Sequence, residues 1–331
     1  MTQGSNEHPL YQHILVATDF SPHAEAAFRQ AVYLARQSGA KITLLHTLPD
    51  LRQLVESASY QAKVDFMYGE RSLFHREVTQ ASEAKLHAMV TAAEAADLEI
   101  RVKTTLGTPA IEITHEVQKS GCDLVLTGTR GMAAWRQIFV GSTAKRLIRT
   151  CPASLWIVKH EQQIPPKVVL AATDFSEVSR EAVLEAFWIA KQSAAEFHLL
   201  HVIDIQDVPE EILAGISGHL SVRDQVNQEA KHRLDHFIDS LHVDPGLIRS
   251  HLSLGTPWQE IKQLAKHRQA DLIAIGTIGR SGIQGLLLGN TAEKVLDHCD
   301  CSILTVKPVG FVSPVLPTLE TMAAALPSQS T

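Results

Sequence analysis

Cysteine is scarce in this chain of 331 residues: Cys122, Cys151, Cys299 and Cys301 are all it has. They are too few and too widely spaced for the disulfide framework of a small secreted domain, so reduced thiols are expected. Long apolar runs are missing as well. None approaches the roughly 18 residues that a spanning helix needs, and the polar start MTQGSNEHP lacks the apolar core of a signal peptide. A cytoplasmic protein with no membrane partner is expected. Positive charge is not in excess, since 30 Lys and Arg stand against 36 Asp and Glu for a formal net charge of -6. That balance offers no overall attraction to nucleic acid or anionic lipid. Two phosphate-binding signatures are absent too: no G-x4-G-K-[ST] occurs, and no G-x-G-x-x-G follows the first apolar strand. The usual P-loop NTPase and dinucleotide-dependent dehydrogenase readings fail on that ground. What remains is an ordinary globular composition, 45% apolar and 20% charged, and a length that suggests two domains at about 150 residues each.

The chain repeats itself. Residues 14–21 read ILVATDFS and residues 169–176 read VLAATDFS, an offset of 155 that LLHT at 44–47 and LLHV at 199–202 share. LGTP at 106–109 and at 254–257 stand 148 apart, so the second copy is seven residues shorter in the connection that includes residues 51–80 of the first. The shorter offset then holds through Gly128 and Gly276, Gly141 and Gly289, and Cys151 and Cys299. Solenoid repeats run only about 20 to 50 residues, so a period this long means two complete domains. The expected organisation is a first domain at 1–160, a linker at 161–166 where QQIPP breaks regular structure, a second domain at 167–308 and a tail at 309–331. The tail carries four prolines from Pro308 onward and reads as loosely ordered or as a strap over the other domain.

Within each copy, short apolar runs alternate with helix-length segments of 3.6-residue periodicity, the pattern of βαβ units and a parallel sheet. Strands are expected near 13–17, 41–47, 99–105, 123–127 and 154–159. The first helix places Ala24, Ala27, Phe28, Ala31 and Ala35 on one stripe, with Ser21 as N-cap and Pro22 at its first position. Thr108-Pro109 starts another helix in the same way, and Ser176 and Thr256-Pro257 repeat the plan.

After the fourth strand, copy one reads GTRGMAAWRQIFVGST, glycines spaced G-x2-G-x9-G and followed by Ser142. Copy two keeps the glycine spacing in GTIGRSGIQGLLLGNT but has Asn290 at the serine's place. Glycine lets backbone approach a ligand, and the first turn of the following helix presents unpaired N–H groups to negative charge. The ATD turn after strand one lies at the same sheet crevice in an open parallel sheet, so two distant segments can converge on one ligand.

These motifs resemble the universal stress proteins in their tandem form, over about residues 11 to 308, with GTIGRSGI, LGNTAEKVLDH and ILTVKP carrying the likeness in copy two. The resemblance implies an α/β fold of two doubly wound, parallel five-stranded domains in the order 3-2-1-4-5, with adenine-nucleotide-hydrolase-like or flavodoxin-like layering. In one branch it implies ATP. By position, the adenosine end would meet Ala17, Thr18, Asp19 and Thr47, and the phosphates Gly128, Arg130, Gly131, Gly141, Ser142 and Thr143. The matching positions in copy two are Thr173, Asp174, Val202, Gly276, Gly279, Arg280, Gly289, Asn290 and Thr291. Asn290 departs from the family's G-[S/T] ending; an amide donates as a hydroxyl does but is larger and differently directed. Copy two is therefore expected to hold a different ligand or none.

Each singled-out residue also has a plainer reading. Asp19 and Asp174 suit an Asx turn before a helix, and Arg130, opposite Ile278, suits a solvated loop as well as a phosphate. His232 and His236 stand four apart, a spacing that can hold zinc, yet no fixed third ligand accompanies them; no metal site is assigned. His298, Cys299 and Cys301 form a denser group, but Cys299 and Cys151 occupy equivalent pre-strand positions that favour packing. His46 and His201 end equivalent strands and suit either a crevice contact or a satisfied core histidine. No catalytic residue is assigned.

Three functions compete. The first is a stress-response regulator that binds an adenine nucleotide, ATP with Mg alongside it, in the first domain and acts on an unknown protein partner. The second is a slow ATPase or phosphatase, against which stands the lack of a nucleophile with an adjacent base. The third is an adaptor whose second domain holds a non-nucleotide or lipid-like ligand, suggested by Ile283, Leu286, Leu287 and Leu288. Single-domain members pair through their last strands, so the resemblance also implies that 154–159 and 302–307 pair within the chain. The resulting pseudo-twofold monomer is then able to form a homodimer.

Overall fold

The computed structural model describes residues 11–48, 71–129, 140–159, 163–204, 206, 220–278 and 288–317. The chain divides into two units, Met1–Ile164 with Val312–Thr331, and Pro165–Phe311. In the first, β1 (His13–Thr18), α1 (Pro22–Ser38), β2 (Lys41–Leu48), α2 (Arg71–Ala92), β3 (Ile100–Leu106), α3 (Pro109–Ser120), β4 (Leu124–Gly128), α4 (Ser142–Thr150) and β5 (Ser154–Val158) follow in order. Five parallel strands pair as β3-β2-β1-β4-β5. The second unit repeats the plan with β6 (Val168–Thr173), α5 (Glu177–Ser193), β7 (Glu196–Asp204), α6 (Leu220–Ser240), β8 (Ile248–Gly255), α7 (Pro257–Arg268), β9 (Leu272–Gly276), α8 (Asn290–His298) and β10 (Ser302–Val306). Its strands pair as β8-β7-β6-β9-β10, again all parallel. Both units have the doubly wound order that the family resemblance implies.

That order positions the sites. The chain steps from β1 outward to β2 and β3, then returns to the other side of β1 for β4, and right-handed crossovers put the two outward helices and the two returning helices on opposite faces. The crevice between the diverging ends of β1 and β4 is the reversal point where ligands lodge in open α/β sheets.

Local chemistry holds the helices over the sheet. All five positions of the expected α1 stripe are at most 2% exposed. Burying Phe28 alone stabilises the unit by about 1.5–3 kcal/mol, and its truncation to Ala costs about 3–5 kcal/mol. Ser21 caps α1 by accepting from the Ala24 amide at 3.3 Å, and Ser176 caps α5 from the Ser179 amide at 3.2 Å. Thr108 and Thr256 behave differently from the expectation. They are N-caps, but their hydroxyls make no capping bond. Their own main-chain carbonyls take that place, accepting from the Ile111 amide at 2.9 Å and the Gln259 amide at 3.0 Å, while Pro109 and Pro257 have no N–H to satisfy.

Candidate functional site

The site in each unit starts from a strained turn. After β1, Thr18 Oγ1 accepts from the Phe20 amide at 3.0 Å, and Asp19 Oδ1 accepts from the Ser21 amide at 3.1 Å. These bonds hold Phe20 at φ 64°, a left-handed conformation that costs a non-glycine residue about 1–2 kcal/mol. The second unit repeats them with Thr173, Asp174 and Phe175 at φ 65°. The plain Asx-turn reading of both aspartates therefore holds at one carboxylate oxygen, and it aims each aspartate at the crevice.

His46 and His201 explain how the turn is kept. Each Nδ1 lies 2.8 Å from a carbonyl oxygen, of Thr18 and of Thr173 respectively, and a carbonyl only accepts, so Nδ1 carries the proton. The Phe20 ring rests on the His46 ring at 4.4 Å and the Phe175 ring on His201 at 4.1 Å. Both histidines are supports for the turn.

In the first unit the turn opens onto a cavity of about 280 Å³, at the lower edge of the roughly 300–1,000 Å³ common for small-molecule sites. Ala17, Thr18, Asp19 and Thr47 line one side, and Gly128, Gly141, Ser142 and Thr143 the other. Arg130 and Gly131, the remaining sequence-predicted positions, lie outside the described residues. Between the two walls stand Thr127 and Thr129, with Pro109 and Ile113 from α3. The Thr-Pro helix start common to both copies is the sequence signal for that last wall, which a helix boundary alone does not reveal.

Gly141 is the N-cap of α4 and has no side chain to cap the first turn, and that turn holds no acidic residue. Its carbonyl accepts from Lys145 and its amide donates to Thr129 at 2.8 Å, which ties the helix start to the end of β4. A turn built this way offers main-chain donors and a positive dipole end to an anion. Gly128, on the cavity lining, has a packing task as well. A Cβ there would fall 2.7 Å from His23 Cβ and 2.9 Å from the Ala24 backbone nitrogen, so the glycine lets α1 start against the end of β4. Its absent side chain makes room for polypeptide at the edge of the cavity.

The second unit has a larger cavity, about 380 Å³, lined at the equivalent places by Thr173, Asp174, Val202, Gly276, Gly289, Asn290 and Thr291. Gly279 and Arg280 lie outside the described residues. Its chemistry differs. Val202 replaces the hydroxyl of Thr47, Asn290 replaces Ser142, and Asp204, which no motif marked, adds a second carboxylate. Glu293 stands in the first turn of α8, where α4 has Lys145. Ile278 on the lining stands opposite Arg130 in the repeat.

The other candidates sit apart. No cluster of three or more His, Cys, Asp or Glu suited to a metal occurs among the described residues. His298 Nδ1 bonds to the Lys294 carbonyl at 2.8 Å and its ring packs on Trp258 at 4.8 Å. Burial pushes the Cys122 thiol up to about 12 and the Cys299 thiol up to about 11, so both are protonated and unreactive near neutrality. Among the described residues no helix is long and apolar enough to cross a membrane.

Two copies of a Thr-Asp-Phe-Ser turn facing a glycine-started helix across a parallel sheet define a tandem α/β crevice protein. The universal stress protein family profile matches residues 10–159 and 166–307, and the chain belongs to that family, with two domains in tandem and a role in the stress response. It is similar to universal stress protein E of Escherichia coli K12, at 28% identity over 316 residues that cover 92% of this chain and 97% of the relative. The universal stress protein MJ0531 of Methanocaldococcus jannaschii is 32% identical over 154 residues, 46% of this chain and 87% of that one. Among solved structures, a universal stress protein from Pseudomonas aeruginosa UCBPP-PA14 shares the fold with a TM-score of 0.66 at 18% identity, covering 92% of this chain and 95% of that one. One from Archaeoglobus fulgidus gives 0.62 at 20% identity, over 89% and 98%.

Proposed function

We propose that the first unit binds ATP, with Mg beside its phosphates, and that the protein reports nucleotide occupancy in the stress response instead of turning the nucleotide over. The observation that carries this reading is the meeting of Ala17–Asp19, Thr47 and the uncapped, acid-free first turn of α4 on one cavity. Asp19 and the backbone at Ala17 and Thr18 offer polar contacts to the adenosine end. Ser142 and Thr143 offer amides and hydroxyls to the phosphates, Gly141, whose own amide is held by Thr129, lets them approach the backbone, and Arg130 and Gly131 belong to the same proposed set. The residues fit an anion: a helix start favours each nearby negative charge by about 0.3–1 kcal/mol, and Lys145 stands in the same first turn. Calorimetry on the full chain should show ATP binding that Ser142→Glu weakens at least about tenfold, because a carboxylate then occupies the anion's place. Wild-type indifference to ATP overturns the reading. Location in the cytoplasm and pairing of whole chains into a homodimer belong to the same proposal.

A second reading concerns the second cavity, which we take to hold a ligand other than a nucleoside triphosphate. Asp204 on its lining and Glu293 in the first turn of α8 add negative charge that the first cavity lacks, and Asn290 puts a larger, differently directed amide at the place of Ser142. Native mass spectrometry of freshly purified protein tests for a carried ligand.

A further inference from the structure

The chain leaves the second unit after Phe311 and its last described stretch, residues 312–317, belongs to the first. Three hydrogen bonds attach it. Ser313 Oγ donates to the Thr150 carbonyl at 2.6 Å, at the last residue of α4, where carbonyls have no partner within the helix. Gln118 Nε2 donates to the Val315 carbonyl at 3.0 Å, and His115 Nε2 donates to the Leu316 carbonyl at 3.2 Å, both from α3. The segment thus bridges the C-terminal ends of α3 and α4. Where they meet, the hydroxyls of Thr114 and Thr150 are 3.3 Å apart.

The same two helices wall the first cavity with their opposite ends, Pro109 and Ile113 on α3 and Ser142 and Thr143 on α4. Helix α4 has nine residues, a rigid rod of about 13 Å, so a shift at Thr150 carries to its first turn. The attachment buries little apolar surface, since Val312 and Leu316 are 85% and 81% exposed. Hydrogen bonds with so little burial behind them give a docking that is reversible.

We propose that residues 312–317 are a strap that holds α3 and α4 in the arrangement the first cavity needs, so that strap docking and ligand binding in that cavity favour each other. Ser313, Gln118 and His115 are positioning residues and touch no ligand. The coupling is reciprocal: whatever the strap adds to ligand affinity, the ligand returns to strap docking. Its effect on the helices stands without the ATP reading, and only the second arm of the test rests on that reading.

The test uses four proteins: the full chain, the chain ended after Pro317, the chain ended after Phe311, and the full chain with Gln118→Leu and Ser313→Ala. Hydrogen exchange is the first arm. The chain ended after Phe311 should exchange the amides of 109–120 and 142–150 about fivefold faster, with the second unit unchanged, and the double variant should follow it. The chain ended after Pro317 should match the full chain. Equal exchange in all four, or equal acceleration in both shortened chains, overturns the strap. In the second arm, ATP should slow exchange at 312–317 and bind about fivefold more weakly to the chain ended after Phe311. ATP affinity independent of the strap overturns the coupling, whereas absence of ATP binding to every protein overturns the ATP reading and leaves the exchange arm to judge the strap.

Discussion

One repeat has produced two cavities of the same ancestry and opposite character. Both begin with Thr-Asp-Phe-Ser turns held by a histidine, and both end on a helix capped by glycine. In the first, hydroxyls and an acid-free helix start face the crevice; in the second, Asp204 and Asn290 line it, and Glu293 stands in the first turn of the helix that closes it. The turn, its histidine and the glycine at the helix start are common to both, while the differences fall on the walls, at Thr47 and Val202 and at Ser142 and Asn290, so the fold constrains the turn and leaves the wall free to change chemistry.

The largest test of shared support is at the first glycine of each loop. At Gly128 an added methyl meets backbone, His23 carbonyl carbon at 2.8 Å and Ala24 nitrogen at 2.9 Å; at Gly276 the nearest atom is the Val178 Cγ1 methyl at 2.9 Å, with backbone at 3.2 Å. A side-chain methyl yields by rotation where a helix start must shift. Gly128→Ala should therefore cost the first unit about 3 kcal/mol, and Gly276→Ala should cost the second about 1 kcal/mol. Urea unfolding followed by hydrogen exchange separates the halves. Equal costs would mean that the two glycines are not differently crowded.

Much of this architecture is legible in the sequence and some of it is not, for reasons that residues make plain. Strand positions, the α1 stripe and the Ser21 and Ser176 caps depend on neighbours a few positions away, so periodicity and N-cap chemistry reveal them. Repetition then reveals the crevice, because Asp19 and Gly141 recur at matched offsets. The role of Gly128 is hidden because its partner is His23, over a hundred positions earlier. Asp204 is hidden because its counterpart in the repeat is Pro49, so no symmetry marks it. His46 was ambiguous because a strand-end histidine looks the same whether its ring meets a ligand or, as here, the Thr18 carbonyl.

Acid should also tell the halves apart. In the second unit His198 Nδ1 and His251 Nε2 are 2.8 Å apart, and burial lowers both pKa values below the ordinary 6.5, helped by Arg249 and Arg268 and opposed at His198 by Glu196. The matching positions of the first unit hold Thr43 and Lys103, the latter paired with the buried Glu116. There burial lowers His13, bonded to Thr43 and Ser120, below the ordinary value. A histidine that binds protons less readily folded than unfolded contributes stability that is intact above 6.5 and is lost as pH falls from there through its folded value. The second unit should lose more stability than the first between about pH 7.5 and about pH 5.5. Replacing His198 and His251 together with Leu should flatten the difference; a difference that persists would place its origin elsewhere.

The finest distinction lies at one position in the first turn of each glycine-capped helix, Lys145 in α4 and Glu293 in α8. Exchanging the charges reverses the field that these side chains add at the dipole's positive end. Because a charge in the first turn is worth about 0.3–1 kcal/mol, reversing its sign should move anion affinity by about fivefold, downward for ATP in the first cavity with Lys145→Glu and upward for inorganic phosphate in the second with Glu293→Lys. Both shifts should shrink with added salt, since neither position is enclosed. If Glu293→Lys leaves phosphate affinity in the second cavity unchanged, then the field of the helix start does not govern anion affinity there.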